Sequence, residues 1–126
     1  MTAAVAARNL AAVYGHALDK YLTYPSGVAL LGRLRLAALE GNADDVAADV
    51  ARVAEPIVSG ESRLPDAAPC LATACFADEL AEVTGDARLP TLLVESANRF
   101  EWDPDVRVED FFFAGTLLGR AAKLTG

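Results

Sequence analysis

The sequence predicts an all-α fold of six helices paired into three antiparallel hairpins within a single domain, residues 1–126. Three observations carry that expectation. An apolar helical phrase that stops at a glycine recurs three times, at Leu36 to Gly41, Leu80 to Gly85 and Ala121 to Gly126. The phrases end 44 and 41 residues apart, measured Gly41 to Gly85 and Gly85 to Gly126, a spacing typical of helical-hairpin arrays. Apolar residues throughout follow a helical period, and no segment alternates as a strand would.

The glycines suit helix ends, where the next residue commonly turns left-handed. Asn42 and Asp86 follow two of them and can accept N–H groups from the first turn of a new helix. The third phrase ends the chain at a point where the other two continue into a partner helix, so the sequence reads as truncated within a repeat.

Helix by helix, the first is expected over residues 2–22, ended by Pro25, which disfavours helical angles at Tyr24. The second spans 26–40 with Val28, Leu31, Leu34/Leu36 and Leu39 as its apolar stripe, and Gly27 and Gly32 permit close packing. The third runs 43–58, with Asp44 and Asp45 at the positive end of its dipole and Pro56 kinking or ending it. Residues 59–65 read as a loop. Asp66 is expected to cap the fourth helix, which reaches Val83 and tolerates Pro69 in its first turn. The fifth covers 87–100, a turn spans 101–105, and the sixth runs 106–124.

Composition narrows the function. At 126 residues and 53% hydrophobic, the chain can bury a substantial core. Net charge is −7, and no basic cluster exceeds Arg33 and Arg35, so the electrostatic footprint of a nucleic-acid binder is missing. No run approaches the roughly 18 apolar residues of a membrane span, and the N-terminus lacks a basic segment ahead of an apolar one, so a cytoplasmic location without membrane association is expected. Cys70 and Cys75 lie five apart on different faces of one helix and cannot pair, so buried thiols are expected. With His16 the only histidine and no CxxC, no metal site is expected, and Ser-His-Asp chemistry has no base apart from His16.

In an antiparallel array, the second, fourth and sixth helices run the same way, and their N-termini share a rim. That rim collects residues 24–27, 64–66 and 107–110 and is rich in carboxylates, which helix N-termini hold ionised. Its segments are Tyr24-Pro-Ser-Gly27-Val-Ala-Leu-Leu31 with Arg33-Leu-Arg-Leu36, Leu64-Pro-Asp66-Ala-Ala-Pro69, Thr84-Gly-Asp86, and Val108-Glu109-Asp110-Phe-Phe-Phe113-Ala-Gly115-Thr-Leu-Leu118. In that order they resemble successive motifs of the unsaturated glycuronyl and rhamnogalacturonyl hydrolases, glycoside hydrolase families 88 and 105. The resemblance covers roughly residues 20–126.

The resemblance implies half of an (α/α)6 toroid of the six-hairpin glycosidase type. It implies hydrolysis of unsaturated uronic-acid-terminated oligosaccharides from pectin or glycosaminoglycans, with no cofactor. A carboxylic acid protonates the C4=C5 double bond, water adds at C5, and the hemiketal collapses to release the sugar. The two catalytic carboxyls fall on Asp66 and Glu109, and Tyr24, Trp102 and Asp110 are candidate substrate contacts. Glu109 stands where the family has Asp, Arg107 replaces an aromatic, and the short 98–107 stretch lacks the family's Gly-Gly-Phe-x-His type loop. These departures point towards weak or absent catalysis.

Other readings stand beside the enzymatic one. Asp66 suits simple capping, Trp102 suits closing a hairpin, and Phe111, Phe112 and Phe113 are expected mainly in the core. The alternative function is a non-catalytic helical repeat or interaction module that keeps only the packing. Under either reading, apolar flanks on the first and last hairpins imply a homodimer or a missing C-terminal half.

Overall fold

The structure is a computed structural model that describes residues 1–101 and 108–126. The described residues are helical or irregular, with no strand among them. The helices are α1 (Ala3–Val13), α2 (Tyr24–Glu40), α3 (Ala43–Val58), α4 (Ala68–Leu71), α5 (Ala77–Thr84), α6 (Arg88–Asn98) and α7 (Val108–Thr125). A 3-10 segment, Ala72–Phe76, joins α4 to α5 without a break, so the described residues form six helical stretches. Each phrase-ending glycine is left-handed, with φ of +79° at Gly41, +71° at Gly85 and +82° at Gly126.

The stretch 68–84 lies at the centre. It packs against α2, α3, α6 and α7, while α3 also adjoins α2 and α6 adjoins α7. Every residue of its 3-10 part is buried, and Phe76 and Leu80 are completely enclosed. Leu30, Leu34, Val50, Ile57, Leu93 and Leu117 close around them as one continuous core.

Gly27 decides how closely α2 approaches. A Cβ placed there would lie 2.1 Å from the carbonyl oxygen of Thr73, so the two backbones are in direct contact. Nothing lies within 4 Å of a Cβ at Gly32, where close packing was equally expected. This contact also fixes which face of α2 is inside. Ser26, Gly27, Leu30, Leu31, Leu34 and Ala37 are buried, whereas Val28 is 42% and Leu39 86% exposed. Leu31 and Leu34 of the expected stripe are thus inside, whereas its ends, Val28 and Leu39, face outwards.

Three boundaries differ from expectation, each for a local reason. α1 ends at Val13, nine residues early, because Gly15 turns left-handed at φ +82°. The guanidinium of Arg33 donates to the Gly15 carbonyl at 2.6 Å, and Ser26 Oγ donates to Asp19 at 3.0 Å, which folds residues 14–23 back over α2. Leu18 and Leu22 still reach the core from this irregular segment, which explains why their spacing resembled helix. Tyr24 is helical, because Pro25 sits in the first turn of α2, where its missing N–H costs nothing. The fourth helix narrows to 3-10 over 72–76, where it meets the backbone of α2.

Ion pairs tie the stretches together. Arg33, 8% exposed, also donates to Asp49 at 2.7 Å, and Arg52 meets the other oxygen of Asp49 at 2.8 Å. Arg120 of α7 bonds Asp78 at 2.8 Å and Glu79 at 3.2 Å in α5, and Arg35 of α2 reaches Glu79 at 2.6 Å. Arg88 spans α6 to Glu55 of α3 at 2.9 Å.

Gly27→Ala should destabilise the fold by about 3 kcal/mol or more, since the obstacle is rigid backbone. Gly32→Ala should stabilise it by about 0.5–1 kcal/mol. Urea denaturation of the two variants gives both signs in one experiment. Hydrogen bonds from Arg52 and Arg33 hold the Asp49 carboxyl below its ordinary range. A depressed folded-state pKa adds stability above the unfolded value, and that contribution is lost as pH falls through the folded one. Urea midpoints should accordingly drop more steeply below pH 4 in the parent than in Asp49→Asn.

Candidate functional site

The end of the molecule where α2, α4 and α7 begin holds the described candidate residues. Tyr24 starts α2, Asp66 lies two residues before α4, and Glu109 and Asp110 occupy the first turn of α7. α4 packs on both α2 and α7, which brings the three starts into one region. Aromatic contacts make the α2–α7 approach explicit. The Tyr24 ring centroid is 4.9 Å from that of Phe113 and 6.1 Å from that of Phe112, the latter edge-on. Only Phe113 of the three phenylalanines is buried. Phe111 and Phe112 are 62% and 52% exposed, which corrects their expected core placement. Three consecutive residues span 200° of a helix, so one face cannot bury them all.

Asp66 does not cap a helix. Ala67 holds the cap position of α4, with no side-chain cap bond. Asp66 instead accepts from Arg99 Nε at 2.6 Å and from Arg63 at 3.4 Å, with its side chain 59% exposed. Arg99 comes from the C-terminal end of α6 and also donates to the carbonyl of Leu64, which pins the loop ahead of Asp66. The bond from Arg99, then that from Arg63, holds the Asp66 carboxyl below the ordinary carboxylate range, so it is charged at neutral pH. Asp86 does act on the next helix, as Asp86 Oδ1 accepts from the Arg88 N–H at 3.0 Å. Asn42, expected to do the same for α3, makes no side-chain cap bond.

Glu109 is exposed on α7. Trp102 and Arg107 lie outside the described residues. The structure thus joins Tyr24 to the start of α7, while the partners of Asp66 are the two arginines.

Two grooves flank this region. One, about 490 Å³, is lined by Leu64, Leu92, Asn98, Arg63 and Arg99, the last two being the arginines that hold Asp66. The other, about 500 Å³, runs between α1 and α2 and is almost wholly apolar, with Leu10, Tyr14, Tyr24, Val28 and Leu36 on its walls. Arg63 and Arg99 were not legible as site residues. Arg99 lies 33 positions from Asp66, and nothing in its neighbourhood distinguishes it from a solvated charge.

No protein-family model matches the chain, and neither a characterised protein nor a solved structure is significantly similar to it. Among the described residues, no helix is long and apolar enough to cross a membrane.

Both cysteines are free thiols. Cys75 is 1% exposed, and burial pushes its thiol up to about 11, whereas Cys70 is partly exposed. The thiolate is the nucleophile, so iodoacetamide at pH 8 should alkylate Cys70 in the native protein and spare Cys75 until urea is added. Mass spectrometry of the tryptic peptides separates the two.

Proposed function

We propose that the chain supplies carboxyl groups for hydrolysis of unsaturated uronic-acid-terminated oligosaccharides at the rim shared by α2, α4 and α7. The observation that carries this reading is the pairing of Asp66 with Arg99 and Arg63 beside an open groove. A terminal unsaturated uronic acid brings its own carboxylate. Guanidinium groups match that anion with two parallel hydrogen bonds, and Arg63, the looser partner of Asp66, is the one free to turn towards a ligand.

The ionised state of Asp66 divides the roles. A carboxylate cannot protonate an alkene, so Asp66 accepts a proton from the attacking water while Glu109, on α7, acts as the acid. The proton from Glu109 adds to C4, the water oxygen bonds to C5, and collapse of the hemiketal breaks the glycosidic link. Tyr24 starts α2 on the same rim, and an aromatic ring there suits contact with a pyranose.

The packing supports half of an (α/α)6 toroid as the architecture behind the rim. In that arrangement α2, the 68–84 stretch and α7 are the inner helices, and α1, α3 and α6 the outer ones. The mutual contacts of the first three, with α3 and α6 seated between neighbours, agree with it. The free thiols favour a cytoplasmic setting.

A second reading is favoured by the exposure of Asp66 and by the apolar character of the groove between α1 and α2. Under it the chain is a helical module that binds a partner and catalyses nothing.

Incubation with unsaturated galacturonyl-rhamnose and with unsaturated glycosaminoglycan disaccharides, followed by loss of ultraviolet absorbance, separates the two readings. Turnover by the parent that vanishes in Asp66→Asn and Glu109→Gln is the expected result. Arg63→Ala should raise KM about tenfold or more through loss of one charge-assisted bond, with a smaller change in kcat. No turnover of either sugar by the parent would leave the binding module.

A further inference from the structure

The groove beside Asp66 continues along α6. A second groove, about 450 Å³, shares Ile57, Gly60, Leu92 and Glu95 with it, so the two form one trench between α6 and the end of α3. On the α6 side the trench is lined by Arg88, Thr91, Leu92, Glu95 and Arg99. These recur every three or four residues, which places them on one face of the helix. At 1.5 Å per residue, Arg88 and Arg99 stand about 16 Å apart along the axis, a length that exceeds one sugar ring.

Charge changes sign along this length, once every ion pair is counted. At one end, Arg63 and Arg99 share the single carboxylate of Asp66, which leaves one positive charge. One helical turn from Arg99, Glu95 is exposed, and among the described residues no hydrogen bond or ion pair engages its carboxylate. At the far end, Arg88 pairs with both Asp86 at 2.8 Å and Glu55 at 2.9 Å, which leaves one negative charge. The trench is thus cationic beside Asp66 and anionic from Glu95 onwards. Ile57 and Leu92 add apolar surface, and Ser59, Ser62 and Thr91 add hydroxyls, a mixture that suits the C–H faces and hydroxyls of a neutral sugar.

We propose that the trench takes the sugar that follows the terminal uronic acid, and that Glu95 restricts this sugar to an uncharged one. The selectivity rests on the hydrolase reading for the kind of ligand and on the charge layout for its sign. The terminal carboxylate meets the cationic end, whereas a carboxylate or sulfate on the next sugar is brought to Glu95, where like charges repel. Glu95 acts through this repulsion and touches no reacting atom, so it determines specificity without being catalytic. The favoured ligands are oligosaccharides acidic only at their terminal residue, and polyuronates and sulfated chains are disfavoured.

Titration at low ionic strength, followed by nuclear magnetic resonance, tests this with one unsaturated glycosaminoglycan disaccharide, with and without a sulfate on its second sugar. The pair differs only in that charge. The parent should bind the unsulfated form about tenfold or more tightly than the sulfated one. Glu95→Gln should narrow the ratio about threefold or more, because it removes the charge and keeps the shape. Glu82→Gln, an exposed change of equal charge on α5 outside the trench, should leave the ratio unaltered. Equal affinities in the parent, a ratio indifferent to Glu95→Gln, or no binding of either sugar would overturn the proposal. Loss of ultraviolet absorbance in the same samples judges the hydrolase reading separately, since the expected preference without turnover would remove the chemistry and keep the selectivity of the trench.

Discussion

The structure depends on a backbone contact. α2 can lie on the central stretch only because Gly27 offers no side chain towards Thr73, where a Cβ would come within 2.1 Å of the carbonyl. Interiors are packed closely enough that such an approach cannot be relaxed at one point without moving its neighbours. The same contact selects the buried face of α2, sets the depth at which Leu30 and Leu34 meet Phe76, and coincides with the tightening of the central stretch to 3-10. Helix geometry then carries the consequence along α2 to Val28, which is turned towards the groove beside α1.

Electrostatics secures what packing arranges. Arg33 is buried, and a buried guanidinium is tolerable only when its donors are taken up. It bonds the Gly15 carbonyl and Asp49, so one side chain links the segment after α1 to α2 and α3. The chain of Arg35, Glu79, Arg120 and Asp78 similarly fastens α2, α5 and α7. Exposed pairs of this sort contribute little individually, but Asp78 and Arg120 are mostly shielded, and the network fixes the relative placement of three helices.

The proposed function rests on where charge is left over. Asp49 and Glu79 also meet two arginines each, but the partners of Asp66, Arg63 and Arg99, line an open groove. That arrangement keeps Asp66 ionised, and in the proposed reading it offers guanidinium groups to an anionic sugar. On the opposite side of Tyr24, apolar surface accumulates without titratable carboxyls. Tyr24 borders both this apolar groove and the start of α7.

By itself, the sequence determined that the chain is helical and where most helices stop. The left-handed glycines at 41, 85 and 126, the exact span of α3 and the placement of Asp44 and Asp45 are local matters, set by backbone sterics and first-turn electrostatics within a few residues. Tertiary structure decided the rest. The end of α1 at Val13 depends on Arg33, eighteen positions beyond Gly15, and the role of Asp66 depends on Arg99, thirty-three positions away. The inward face of α2 depends on a carbonyl in the 3-10 segment. Periodicity records that a face is apolar, but the partner that covers it lies far along the chain, and its position is known only once the helices have packed.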